Sequence, residues 1–200
     1  METHLAPPKG PSGWTRRRAA IFALSMSPFI ALLVLLAWGQ LTSGNVPGLR
    51  LEHDQTSEQD VAQRTAPGFG GTDVLTGAAI DNASVNGKIV LLDFWSSWCT
   101  ACTIEAADLA SVYQEYASQP VEFVGVAIWD EPGDILRHVD RYGVTYPNVI
   151  DNEGATAVSF GVRGVPEKFF LDENGTIIRK VIGPVSPEQL REILDSLLAA

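Results

Sequence analysis

Two cysteines, Cys99 and Cys102, are the residues whose type and spacing most directly indicate chemistry. They are the only cysteines among the 200 residues, and two residues separate them. A pair at this spacing can close a reversible disulfide: one thiolate attacks the disulfide of a partner, and the second thiol resolves the mixed disulfide. The spacing therefore predicts a redox-active dithiol. The expected position of Cys99 at a helix N-terminus makes it the attacking residue and Cys102 the resolving residue.

Two other roles for a cysteine pair are a structural disulfide and a zinc site. A disulfide that closes so short a loop stabilises a fold little, by about 2 kcal/mol in the chain-entropy description. Zinc would need two further ligands, and the sequence has no other cysteine and three histidines, His4, His53 and His138. We therefore predict no metal and no cofactor other than the disulfide itself.

The elements on either side of the cysteines suit this chemistry. Residues 88–95 are an apolar run of strand length, typical of a buried central strand. A helix is predicted over residues 100–118, which puts Cys99 at its N-terminus. Free backbone N–H groups and the helix dipole favour a thiolate there. Trp98 would add a flat apolar surface beside the reactive sulfur, where a substrate could bind.

The pattern from residue 67 onward predicts an α/β fold, with a mixed sheet flanked by helices. Asn174 and Gly175 are a strong hairpin signal between the last two strands. The predicted elements are a hairpin over 72–81, a strand over 121–128, helices over 132–142 and 153–160, strands over 165–171 and 176–182, and a helix over 187–198.

The first 66 residues predict a membrane anchor and a tether. Residues 19–41 carry no charge and are long enough to cross a bilayer, which takes about 20 residues. Residues 1–18 are basic and end in three arginines, which predicts a cytoplasmic tail. A flexible linker over 42–66 would then join a single-pass signal-anchor helix to a domain of residues 67–200 outside the cytoplasmic membrane. A cleaved signal peptide is the alternative interpretation.

The composition excludes one class of partner. The net charge is −10, whereas nucleic-acid recognition needs a basic surface, so we predict no nucleic-acid binding. The apolar fraction of 46% is sufficient for a core of ordinary size.

Three segments resemble one family, the membrane-anchored thioredoxin-like proteins of the TlpA, ResA and CcmG (DsbE) group. Residues 94–102, FWSSWCTAC, resemble the FWxxWCxxC active site of thioredoxin-like proteins, and Glu105 completes the CxxCxxE pattern of the group. Residues 164–170, GVPEKFF, resemble its GVPETF segment, and residues 123–162 resemble its central region. The likeness covers residues 66–200 and implies a thioredoxin-like fold with an N-terminal hairpin and a central insert.

The resemblance also implies that Pro166 is a cis-proline facing the disulfide, an ordinary turn proline being the alternative. Because proline lacks an N–H, the edge at Val165 would be free to pair with the backbone of a substrate. Two positions depart from the family pattern: Ala101 replaces the usual proline between the cysteines, and Lys168 replaces the threonine of GVPETF. Neither change removes the dithiol, although residues between the cysteines affect its reduction potential.

Three acidic residues are candidates for controlling the protons of the dithiol. Asp93 interrupts the apolar run before Cys99, where burial would raise its pKa. It could then accept the proton of Cys102, the alternative being a structural hydrogen bond. Glu105 and Glu167 are candidates for tuning the thiol pKa, and a solvent-exposed position is the alternative for each.

The resemblance implies a thiol-disulfide oxidoreductase, specifically a protein-disulfide reductase. The expected substrate is the disulfide of apocytochrome c before haem attachment, and the expected electron source is a membrane thiol donor of the CcdA or DsbD type. Alternatives are a general disulfide reductase or oxidase with other extracytoplasmic substrates, such as proteins of copper-site assembly, and a non-catalytic membrane-tethered docking module. A thiol peroxidase would need a peroxidatic cysteine in a proline- and threonine-rich setting, which we do not find. We expect a monomer.

Overall fold

The computed structural model describes residues 27–35, 57–59 and 63–200. The chain divides into two units between Leu51 and Glu52. In the first unit, residues 27–35 are helical. Among the described residues, no helix is both long enough and apolar enough to cross a membrane. The rest of the predicted anchor over 19–41 and the predicted tail over 1–18 lie outside the described residues.

The second unit is built on a mixed seven-stranded sheet. Its strands are β1 Ser57–Gln59, β2 Arg64–Thr65, β5 Ile89–Trp95, β6 Val121–Ile128, β7 Asn148–Asp151, β8 Glu167–Leu171 and β9 Thr176–Ile182, and a separate hairpin joins β3 Gly70–Thr72 to β4 Ala79–Asp81. The strand order is β1-β9-β8-β5-β6-β7, and β2 also pairs with β9. The pairs β5–β6 and β6–β7 are parallel, whereas β8 is antiparallel to both β5 and β9.

In the described part of this unit, four helices accompany the sheet: α1 Thr100–Glu115, α2 Pro132–Tyr142, α3 Ala155–Phe160 and α4 Pro187–Leu198. All seven residues of β5 are buried, which explains their continuous apolar run. Alternate β5 residues contribute to two cores. Leu91 and Trp95 pack with α1, α2 and α4, whereas Leu92 and Phe94 pack with α3 and β8.

The predicted α/β architecture with a mixed sheet is confirmed, as are the bounds of β6, β9, α2 and α4. Helix α1 ends at Glu115, three residues before its predicted end. Helix α3 begins at Ala155, not at residue 153, because Gly154 before it has a left-handed backbone with φ of 70°. Strand β8 begins at Glu167, two residues after its predicted start.

The sheet extends into the range predicted as linker, so that prediction is wrong at its C-terminal end. Residues 57–59 and 64–65 pair antiparallel with β9. Such short edge strands are held by backbone hydrogen bonds and do not need alternating apolar side chains. Strand β7, whose bounds were not predicted, pairs with β6 at the other end of the strand order. The rest of the predicted linker lies outside the described residues.

Candidate active site

The disulfide of Cys99 and Cys102 lies where the central strand passes into α1. Cys99 is the N-cap residue of the helix, and its Sγ lies 3.1 Å from the backbone nitrogen of Cys102, which donates to it. The two residues form a disulfide with their Cα atoms 5.3 Å apart, and both are buried. The predicted position of Cys99 at the helix N-terminus is confirmed. This position offers a backbone N–H group to a Cys99 thiolate in the reduced protein.

The loop before Cys99 is held by residues at the end of β6. Ser96 Oγ donates to the carbonyl of Ile128 at 2.7 Å. The backbone N–H of Ser97 and its Oγ both donate to the carboxylate of Asp130, at 2.5 and 2.9 Å. Asp130 was missed from the sequence. It could have been found from the strand pattern, because β5 and β6 are parallel neighbours and the residues after their C-terminal ends meet at one edge of the sheet.

The peptide bond between Val165 and Pro166 is cis, as the resemblance implied. The carbonyl oxygen of Val165 lies 3.7 Å from Cys99 Sγ, so this segment faces the disulfide. Pro166 is buried, and its carbonyl accepts a hydrogen bond from Gly183 at 2.9 Å. The structure therefore brings Val165 and Pro166 together with the dithiol.

Asp93, Glu105 and Lys168 form a buried charge cluster beneath the disulfide. Lys168 Nζ lies 2.5 Å from Glu105 Oε1 and 3.3 Å from Asp93 Oδ1, and the Lys168 side chain is fully buried. Glu105 Oε2 also accepts the backbone N–H of Val185 at 2.8 Å. Lys168 was noted in the sequence as a departure from the family pattern. Its function as the counterion of two carboxyl groups follows from the β5–β8 register, which puts it opposite Asp93.

The buried charge cluster perturbs the pKa of each member. Burial raises the pKa of Asp93, although Lys168 opposes the shift. Burial also raises the pKa of Glu105, to about 7, and the nearby charge of Asp93 adds to this effect. Burial disfavours the ammonium of Lys168, but the two carboxyl groups outweigh that effect and raise its pKa. The cluster therefore keeps its lysine charged and takes up a proton on its carboxyl groups near neutral pH.

A cavity of about 10 Å³ connects the dithiol to this cluster, because Cys102 and Asp93 both line it. Its volume is near the minimum that holds one water molecule, about 10 Å³. His138 also lines it, and burial lowers the pKa of that imidazole. Cys102 and Asp93 therefore face one shared space. The remaining wall residues are Trp95, Ala106, Leu109, Val144, Tyr146 and Asn148.

Glu167 lies apart from the buried charge cluster. Its Oε2 is 2.7 Å from Lys180 Nζ, and its Oε1 accepts the backbone N–H of Arg163 at 3.0 Å. It pairs in register with Phe94, the neighbour of Asp93 in β5, so its side chain emerges on the opposite face of the sheet. Like Glu105, it is buried, so the solvent-exposed alternative is wrong for both glutamates. The structure brings Glu105 to the dithiol side and does not bring Glu167 there.

No cluster of three or more His, Cys, Asp or Glu side chains among the described residues could hold a metal ion.

The raised pKa of Glu105 predicts that the oxidised protein loses stability as the pH rises. The folded state binds this proton more tightly than the unfolded chain does. The resulting stabilisation is complete below the ordinary pKa of 4.5 and is lost as the pH rises through about 7. Thermal unfolding across this range should show a steeper fall of Tm in the wild type than in Glu105→Gln. Equal slopes in the two proteins would contradict the prediction.

Comparisons with known proteins agree with this site. Residues 62–180 match the AhpC/TSA family. The thiol-disulfide oxidoreductase ResA of Geobacillus thermodenitrificans is 30% identical over 175 residues, which cover 87% of this chain and 95% of that protein.

Two solved structures share the fold. A thiol:disulfide interchange protein of the thioredoxin family from Chlorobium tepidum has a TM-score of 0.63 and 26% identity, over 70% of this chain and 99% of that one. A secreted Mycobacterium tuberculosis disulfide oxidoreductase homologous to Escherichia coli DsbE has a TM-score of 0.58 and 28% identity, over 64% and 96% of the two chains. The predicted thioredoxin-like fold is thereby confirmed. The chain belongs to the thioredoxin-like AhpC/TSA family, in which its dithiol makes it a thiol-disulfide oxidoreductase of the ResA and DsbE type.

Proposed function

We propose that this protein is a reductase that acts outside the cytoplasmic membrane and reduces the disulfide of apocytochrome c before haem attachment. The observation that supports the direction of electron flow is the buried charge cluster. Its one lysine is shared by two carboxyl groups, so the cluster has no unpaired positive charge, whether one or both carboxyl groups are ionised. Asp93, a member of the cluster, lines the same cavity as Cys102.

Without an unpaired positive charge at this place, a thiolate on Cys102 gains no electrostatic stabilisation from the cluster. Strongly oxidising members of this fold, such as DsbA, owe their potential to a stabilised reduced form, which has a low thiol pKa. Here that stabilisation is absent, so the reduced dithiol is less stable than in those proteins and gives up its electrons more readily. This argument favours a reductase over an oxidase.

The proposed location rests on the sequence before the domain. The uncharged residues 19–41 follow a basic segment, the arrangement of a signal anchor whose N-terminus stays in the cytoplasm. A domain outside the membrane is cut off from cytoplasmic thiols. It would then be recharged by a membrane thiol donor of the CcdA or DsbD type, and it would act as a tethered monomer.

The reduction potential of the full chain in glutathione or dithiothreitol buffers tests the direction. We expect a reducing value near that of thioredoxin, about −270 mV. A value near that of DsbA, about −120 mV, would contradict the reductase and favour an oxidase.

Substrate capture by Cys102→Ala tests the identity of the substrate. Without the resolving thiol, Cys99 should stay joined to its substrate as a mixed disulfide. We expect apocytochrome c among the captured proteins, identified by mass spectrometry after reduction. The matched control, Cys99→Ala with Cys102 intact, should capture far less. Capture of other extracytoplasmic proteins alone, such as those of copper-site assembly, would replace the apocytochrome assignment with a more general reductase.

A further inference from the structure

We propose that Trp129 and Trp98 form a two-indole surface beside Cys99, which binds an aromatic side chain of a polypeptide substrate next to its oxidised cysteine. This inference rests on the oxidoreductase activity of the dithiol and does not depend on which protein is the substrate. Trp98 immediately precedes Cys99 in the chain. Trp129 is the first residue after β6, the parallel neighbour of the strand that leads to the dithiol.

A direct hydrogen bond joins the two tryptophans. The indole N–H of Trp98 donates to the backbone carbonyl of Trp129 at 3.1 Å. The preceding residue of the redox loop, Ser97, is bonded at both its N–H and its hydroxyl to Asp130, the residue after Trp129. The backbone of Trp129 is therefore held against the loop that carries Cys99, and the two loops form one surface.

Both indoles are exposed although the fold has a large core. Trp98 is 60% exposed and Trp129 is 57% exposed. An indole is the largest apolar side chain, and its exposure to water forgoes the stabilisation that burial would provide. Two of them beside a reactive disulfide form an apolar surface at the place where a substrate must approach.

The backbone of Trp129 gives the second observation. Its φ is +48°, and no other non-glycine residue among those that the structure describes has a positive φ. A bulky side chain rarely adopts this left-handed conformation, and such residues concentrate at functional sites. The indole lies against Gly154, where an added Cβ would be 3.0 Å from Trp129 Nε1. The ring thus packs against a glycine, while the residue as a whole stays more than half exposed.

The position of the two-indole surface relative to Cys99 indicates which part of a substrate binds there. A substrate cysteine must reach Cys99 Sγ, beside the carbonyl of Val165. A residue next to that cysteine then lies over Trp98 and the adjoining Trp129. Aromatic side chains pair favourably with indole rings. Glu131 and Glu153, both exposed, lie close in sequence to Trp129 and to Gly154, so acidic residues are disfavoured. The surface therefore fits an aromatic side chain in a neutral or basic segment.

The test uses two short synthetic peptides, each with one internal disulfide, which differ in having Phe or Ser before the first cysteine. Pre-reduced full-length protein is mixed with each peptide over a range of concentrations, and reduction is followed by chromatography. We expect wild type to reduce the Phe peptide about fivefold more efficiently than the Ser peptide. In Trp129→Gly the ratio should fall to near one. The concentration of the Phe peptide that gives half-maximal reduction should rise, while the maximal rate stays unchanged.

Trp129→Gly is chosen because glycine adopts a positive φ without strain, so the variant should fold. Its circular dichroism spectrum should match that of wild type, and wild type should react with oxidised glutathione. Val158→Ala, which trims a 77% exposed apolar side chain on α3, should keep the fivefold ratio. A ratio that persists in Trp129→Gly, or that is absent in wild type, would overturn the proposal. Loss of reactivity with glutathione in wild type as well would overturn the dithiol chemistry itself.

Discussion

Replacing Lys168 with methionine is expected to lower the free energy of unfolding by about 3–5 kcal/mol near neutral pH, the usual cost of removing one partner from a buried ion pair. The fully buried Lys168 is the counterion shared by Asp93 and Glu105. Without it, the two carboxyl groups must either stay charged without compensation or take up protons. The loss should therefore be larger at about pH 8 than at about pH 5, because protonation removes the repulsion. Denaturant unfolding of the oxidised wild type and variant at both pH values measures this loss of unfolding free energy.

Lys180→Met is the matched control for this variant. Lys180 is also buried and also pairs with a glutamate, at 2.7 Å from Glu167 Oε2, but on the other face of the sheet. Both variants should lose stability. In the reduced protein, Lys168→Met alone should raise the thiol pKa, because it removes the positive charge of the buried charge cluster, which shares a cavity with Cys102 through Asp93. The pH dependence of thiol alkylation reports this pKa. An equal shift in both variants would show that the cluster does not act on the cysteines.

Replacing Asp93 with asparagine is expected to slow the attack of Cys102 on the mixed disulfide by about 10²-fold, the lower range for loss of a general base. Asp93 and Cys102 line the same cavity, and the proton that leaves Cys102 needs an acceptor there. The first step, attack by Cys99 on the substrate, should change little. Single-turnover kinetics with quenching separate the two steps, because the mixed disulfide should accumulate in the variant.

The stability of Asp93→Asn distinguishes catalysis from a structural role. The substitution leaves Lys168 paired one-to-one with Glu105 and removes a buried charge, so stability should not fall. The control is Asp151→Asn, which changes a buried carboxylate that accepts N–H groups of Thr156 and Ala157 in α3. That variant should lose stability yet resolve the mixed disulfide at the normal rate. An Asp93→Asn protein that is destabilised but resolves normally would assign Asp93 a structural role.

The parts of the site that could be predicted from the sequence depend on neighbours a few residues apart. The apolar run of β5, the cysteine spacing and the start of α1 at Thr100 all lie within one short segment. Helix periodicity and capping act over the same distances, so α2 and α4 were also predicted with their correct bounds. The raised pKa expected for Asp93 followed from its position inside an apolar run.

Tertiary structure decided which distant residues meet. Glu105 and Glu167 were equivalent candidates in the sequence. The β5–β8 register and the alternation of side chains sent Glu167 to the opposite face, and the same register set Lys168 against Asp93. The contact between Trp98 and Trp129, and the pairing of residues 57–59 and 64–65 with β9, likewise join segments far apart in sequence. Sequence by itself determined the dithiol and its helix because their determinants are local. The charges beneath the dithiol and the surface beside it depend on strand order and register, which arise only when the whole sheet assembles.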